Sequence, residues 1–319
     1  MWFKQIKLFQ LNEPINKLDL LSSLKKLKFR PCLPNLPVSM GWVSPTEDAA
    51  ETIEITDEED RETKEKDEII QTNLPLMHEA NGYLMLCLQT EEKILPATVV
   101  RNKVKERIKE IQANENRKVS GKEKQALRED IYHGLIPQAF AKLSKTYAYI
   151  DIKNNQLILN TITEKKSELF ISFLKKTLRN IEIKSLETKN ISKTMTHWLQ
   201  NNKCPQSLTI ENCCVLQDPS KQGRIIRCQQ QDLYAPSIQT LLKEGCEINQ
   251  MQFTWNDQLT FTLKDDFTFR SLKYQDAVIE LANEAATETK LERFNVDFLI
   301  MSETTNKLIT ELLDVFDKK

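Results

Sequence analysis

The sequence predicts an α+β protein built from antiparallel sheets with flanking helices. Strand-like runs arrive as hairpins, one at 146–162 around Asn154-Asn155 and one at 247–274 with turns at Asn256-Asp257 and Asp265-Asp266. Helix-like runs arrive in blocks, and 97–145 reads as helix with no strand pattern. That order opposes a doubly wound parallel sheet, where strands and helices alternate singly. No fixed-period repeat is present. The 319 residues suit two domains or one multi-lobed unit.

Taken in order, residues 2–11 alternate apolar and polar and predict a strand. Leu18, Leu20, Leu21, Leu24 and Leu27 fall near helical spacing and predict a helix over 17–29. Pro31, Pro34 and Pro37 then enforce an extended connector before the short apolar Gly41-Trp42-Val43. The acidic stretch 44–72 has too little apolar content to offset its chain entropy, which predicts disorder or a loosely held loop. Residues 83–90 read as a buried strand. Val100, Val104, Ile108 and Ile111 give an amphipathic helix that breaks near Asn114-Glu115-Asn116. Ser120 and Glu123 form a capping-box pattern that starts a second helix, which Pro137 kinks before Ala139–Leu143. After the 146–162 hairpin come a helix at 163–179, a strand at 181–186 and a helix near 191–200. Strands at 207–216 and 223–231 precede a short helix at 236–243, the strands of 247–274, and closing helices near 275–290 and 297–316.

Composition narrows the function classes. With only 6 glycines, Gly-rich phosphate loops are scarce, and no run of apolar residues reaches the ~18 that span a bilayer. The start, Met1-Trp2-Phe3-Lys4-Gln5, lacks the pattern of a secretory signal, so the expected location is the cytoplasm. The seven cysteines are odd in number and contain no C-x-x-C pair, which fits reduced thiols used as small core residues. Net charge is -1, but Ser44–Glu68 holds twelve acids against three bases, leaving the rest of the chain at +8. A basic body can attract polyanions, and an acidic appendage can compete for the same surface.

No Walker A loop, dinucleotide fingerprint, H-E-x-x-H or G-x-S-x-G motif occurs. His78, His133 and His197 are scattered and read as ordinary side chains. Cys213 and Cys214, adjacent in a strand, point to opposite faces and make a poor metal pair. Asp265-Asp266 suits a turn better than a Mg²⁺ site. The positive signal is 101–128, with ten bases (Arg101, Lys103, Lys105, Arg107, Lys109, Arg117, Lys118, Lys122, Lys124, Arg128) against four acids. Such a face can bind phosphates without reading sequence, although pairs at helical spacing also decorate ordinary surfaces.

Several strings occur in order across nearly the whole chain: Met1-Trp2-Phe3-Lys4, Met40-Gly41-Trp42-Val43, Ala80-Asn81-Gly82, Glu91-Glu92-Lys93-Ile94-Leu95-Pro96, Leu135-Ile136-Pro137-Gln138-Ala139-Phe140, Ile226-Arg227, Gln231-Asp232-Leu233 and Phe294-Asn295-Val296-Asp297-Phe298-Leu299-Ile300-Met301. In order and spacing the chain resembles RdgC, a family of recombination-associated DNA-binding proteins of bacteria. The resemblance implies an elongated, multi-lobed subunit and a homodimer closed at both ends into a ring. It implies a basic hole that encircles double-stranded DNA without sequence preference, restricting a RecA-type recombinase, at the nucleoid. It implies no catalysis, and no cofactor or metal is expected. A two-fold dimer would double the body charge and present both basic faces to one duplex.

The expected layout is a central lobe (1–90 and 146–186, with an acidic disordered insertion at about 44–72), a helical basic tip (91–145) and a C-terminal α+β base (187–319). By position, the family pattern points to Phe140 as an apolar dimer anchor at the tip. It also points to Lys93, Arg101, Arg107, Arg117, Lys118, Lys124, Lys142, Arg227, Arg270 and Lys273 as DNA contacts. The chain departs from the pattern at Gln229-Gln230-Gln231 and Gln138, where basic residues would fit, and its acidic stretch 44–68 resembles an insertion. That stretch is expected to screen the basic surface. The competing readings are a recombination scaffold with weak DNA contact and a Mg²⁺-dependent nuclease.

Overall fold

The computed structural model describes residues 2–49, 74–186, 188, 190–218, 223–285 and 289–317. The fold is α+β: eight α-helices among the described residues flank two antiparallel sheets. The first sheet contains β1 (Lys7–Leu11), β2 (Val38–Val43), β3 (Met77–Ala80), β4 (Tyr83–Ile94), β5 (Phe140–Asp151), β6 (Gln156–Leu159) and β7 (Ile183–Ser185). Its order is β2-β4-β5-β6-β1-β7, with β3 beside β2 along the same edge of β4. The second runs β12 (Phe269–Tyr274), β11 (Leu259–Lys264), β10 (Glu247–Trp255), β8 (Leu208–Gln217), β9 (Ile225–Cys228). The helices are α1 (Lys17–Lys26), α2 (Ala97–Glu115), α3 (Gly121–Leu135), α4 (Glu164–Leu178), α5 (Ile191–Asn201), α6 (Pro236–Lys243), α7 (Asp276–Glu284) and α8 (Lys290–Asp317).

Strand periodicity divides the core. In β4, Leu84, Leu86 and Leu88 join Leu20 and Leu24 of α1 and Phe170 and Leu174 of α4 on one face. Tyr83 and Met85 face the other way, into a larger core shared with the second sheet, α5, α6 and α8. The 28 residues of α8 span about 42 Å at ~1.5 Å per residue, long enough to serve both sheets. Its stripe begins with Phe294, continues through Phe298, whose ring meets Tyr149 of β5, and ends with Phe316 against Trp198 and Phe267. The N-terminal segment also joins the sheets: Ile6 exchanges backbone hydrogen bonds with Phe269 of β12 and the Lys4 carbonyl accepts from the Leu272 amide, whereas Lys7–Gln10 pair with β6. The segment read as one strand from residue 2 therefore serves two sheets in turn.

Several expectations require correction. Ala139–Leu143 is not helix: a short 3-10 turn at Ile136–Gln138 ends α3, and β5 begins at Phe140. Pro137 stops the helix, and the ladder to β4, from Ile94↔Phe140 through Tyr83↔Asp151, fixes the extended form. Strands β2 and β3 did not announce themselves, and α8 starts earlier than the expected 297. The expected disorder over 44–72 fails at its beginning. Ser44 and Thr46 are buried with their hydroxyls 2.9 Å apart. Lys145 of β5 holds Glu47 at 2.9 Å and Asp48 at 2.6 Å, and Tyr147 donates to Asp48. Burial pushes the Asp48 carboxyl up, but those two hydrogen bonds and the Lys145 charge together hold it below the usual value. Residues 50–72, the remainder of that stretch, lie outside the described residues.

Candidate nucleic-acid interface

The outer halves of β4 and β5 form a two-stranded ribbon whose residues become progressively more exposed toward Ile94 and Phe140. The ribbon carries a helical hairpin, α2 and α3, whose principal contacts are within itself and to the turn at 136–138. The hairpin forms for local reasons. Asn116, in a left-handed conformation at φ 50, ends α2. Ser120 and Glu123 close a capping box on α3.

The ten bases of 101–128 are not equivalent. Lys103 pairs with Glu106 at 3.1 Å, and Arg107 with Glu110 at 2.7 Å. Arg117 makes a bidentate pair with Glu123, at 2.7 and 2.8 Å, and a third bond to Glu115. The hydrogen bonds it donates to Glu123 and Glu115 hold its guanidinium firmly charged, above its ordinary value. These three bases are therefore partly neutralised from within the hairpin. Arg101, Lys118 and Lys124 are exposed and have no ion pair among the described residues. Lys142 stands opposite Glu92 on the ribbon, and the Lys93 ammonium reaches the Ala139 carbonyl at 3.5 Å.

A second basic surface lies on the open face of the second sheet. Leu259, Phe261 and Leu263 of β11 face the core, so Thr260, Thr262 and Lys264 face out. Register aligns Gln252, Thr262 and Arg270 in one row, and Arg227, Val215 and Gln250 in the next. Arg227 and Arg270 thus line one hollow of about 280 Å³, together with Gln229, Gln250, Gln252 and Ser271; no carboxylate lines it. The Arg270 Nε is buried without a hydrogen-bond partner. Lys273 reaches the same face through a bulge. Two residues of β12, Ser271 and Leu272, oppose one of β11, and Ser271 sits at φ 51. Without the bulge, Arg270 and Lys273, three apart, would point to opposite faces.

The remaining candidates take ordinary places. Cys214 and Cys228 are buried, opposite each other, while Cys213 is half-buried. Lys264 binds Asp266 at 2.6 Å and Asp265 at 3.5 Å, and Asp266 also accepts from the Thr268 amide, which is turn chemistry. His133 and His197 are exposed. His78 packs edge-on against Phe294 and Phe298, and burial lowers its pKa although its bond to Asn295 opposes that. Phe140 is 86% exposed and Ile94, directly opposite, 49%, so Phe140 is no core residue of the subunit. Among the described residues no three His, Cys, Asp or Glu side chains gather as a metal-binding group, and no helix is long and apolar enough to cross a membrane. Arg128, one of the ten bases of 101–128 but not among the contacts expected by position, lies four residues beyond Lys124 and lines the same groove of the hairpin.

A family model described as "Putative exonuclease, RdgC" matches residues 1–61 and 68–319, so the unmatched interval falls inside the acidic stretch. The chain is 28% identical over 318 residues to the recombination-associated protein RdgC of Proteus mirabilis, covering 99% of this chain and 98% of that one. It is 30% identical over 317 residues to the protein of that name from Tolumonas auensis, covering 98% and 97%. Against the one from Aeromonas hydrophila it is 29% identical over 315 residues, covering 98% and 96%.

Proposed function

The chain belongs to the RdgC family, and from that premise we propose that it binds duplex DNA through the phosphate backbone, without reading bases, as a homodimer that encircles the duplex. In this reading it acts in recombination by denying a RecA-type recombinase access to DNA. The observation that carries the reading is the hollow holding Arg227 and Arg270. Two guanidiniums among amides, hydroxyls and the thiols of Cys213, Cys214 and Cys228, with no carboxylate and with one buried Nε unpaired, suit a phosphate oxygen better than solvent. The lobes expected from the sequence give such a ring its parts, with exposed Phe140 and Ile94 as the apolar contact at the tip.

Fluorescence anisotropy with two unrelated duplexes across a salt titration tests the binding. Equal affinities and a steep linear fall of log K with log salt are expected. Encirclement adds a second readout: blocking both ends of a linear duplex should slow dissociation. A base-sequence preference, or no binding at low salt, would overturn the reading and favour a protein-interaction scaffold. We read the protein as non-catalytic, because Asp265 and Asp266 are tied to Lys264. Digestion of end-labelled duplex in Mg²⁺ would refute that.

A further inference from the structure

We propose that the groove between α2 and α3 is a phosphate seat formed by Arg101, Lys124 and Arg128. This deepens the DNA reading and rests on it for the source of the phosphate. Ala97, Arg101, Val104 and Ile108 fall on one face of α2, and Gly121, Lys124, Gln125 and Arg128 on one face of α3; together they line a groove of about 290 Å³. Three cations converge on an apolar floor, no carboxylate lines the groove, and none of the three has an ion pair among the described residues. A second groove of the same hairpin differs. There Lys103 and Arg107 sit beside Glu106 and Glu110, their partners one turn on. The hairpin therefore has one compensated side and one uncompensated side. Guanidinium forks and an ammonium suit a phosphodiester's oxygens, and the apolar floor of Val104 and Ile108 suits the adjoining sugar.

Two measurements on the full chain test this. Inorganic pyrophosphate is titrated while the Gly121 amide resonance is followed, because Gly121 lines the groove with open space where a Cβ would stand. A saturable shift is expected in the wild type and none in Arg101→Ala/Lys124→Ala/Arg128→Ala. In duplex binding, the same variant should flatten the log K against log salt slope by about 2.7, near 0.9 per lost contact. Lys103→Ala, whose ammonium Glu106 already holds, should change it far less. The conservative Arg128→Gln, at an exposed position, should cost about 0.9 alone and guards against misfolding of the triple variant. A stationary Gly121 resonance, or equal slope changes in test and control variants, would overturn the seat. A Gly121 shift without duplex binding would keep the seat and reject DNA as its source.

Discussion

Replacing Arg227 and Arg270 together by Met separates a binding role from a structural one. Both line a single hollow on the open face of the second sheet. Each phosphate contact contributes about 0.9 to the slope of log K against log salt, hence about 8-fold in affinity at ~0.1 M salt relative to ~1 M. Losing two contacts should flatten the slope by about 1.8 and weaken binding roughly 60-fold at that salt. Stability should move the other way. The Arg270 Nε is buried and unpartnered, and a buried unmade hydrogen bond costs about 1–3 kcal/mol. Methionine retains the apolar stem and removes that donor, so the double variant should gain on the order of 1 kcal/mol, about 2 °C in Tm. Anisotropy across salt and urea denaturation read the two effects. A slope unchanged from wild type would remove Arg227 and Arg270 from the interface. Weaker binding accompanied by lower stability would mark the arginines as structural and refute the reasoning.

Phe140→Ser should leave subunit stability within about 0.5 kcal/mol, because the ring is 86% exposed, yet weaken self-association on the order of 1,000-fold or more if two copies each bury it for about 2–3 kcal/mol. Sedimentation equilibrium reads this, and an unchanged dimer constant places the contact elsewhere. Gln229→Lys, beside Arg227 and Arg270, should steepen the salt slope by about 0.9. A flat response would exclude that hollow from the DNA surface. At Gly41 an added Cβ would stand 2.2 Å from the Phe29 Cα, so Gly41→Ala should cost about 2 kcal/mol or more in urea unfolding. His78 is held below its unfolded value of 6.5 by burial, so the fold takes up its proton later than the unfolded chain does. Its contribution is complete above that pH and is lost as pH falls from there through the lower folded value. A His78→Gln variant should therefore lose less stability than wild type as pH falls below 6.5, and parallel losses would refute the assignment.

What was legible in the sequence was local. The capping box of Ser120 and Glu123 and the left-handed stop at Asn116 act within one turn, so the helical hairpin could be read directly. The strand at Phe140–Lys145 could not, because its partners, Gln89–Ile94, lie some fifty residues away and its own residues also suit a helix. Strands β2 and β3 are 6 and 4 residues long and owe their form to the shared edge of β4. The site shows the same divide. Composition located the basic hairpin, but only the placement of Glu106, Glu110, Glu115 and Glu123 separates neutralised bases from available ones. Likewise, strand alternation puts Arg270 and Lys273 on opposite faces, and the bulge at Ser271 reunites them.

The strings that carry the family resemblance are, in this structure, mostly parts of the scaffold. Gly41 lets β2 pass against the Phe29 backbone, and Asn81-Gly82, both at positive φ, turns β3 into β4. The Phe3 amide donates to the Met301 sulfur at 3.1 Å, so the strings at the two ends of the chain meet in one core. Strings that seat the core in this way suit a family whose members share 28–30% identity with this chain over nearly its whole length. The two sets of residues should separate under mutation. Changes at Gly41 or Phe298 should lower stability, whereas changes at Arg101, Lys124, Arg128, Arg227 or Arg270 should lower the salt slope with stability kept or raised. A protein in which both sets moved both quantities would have no distinct DNA surface, and affinity would then follow folding alone.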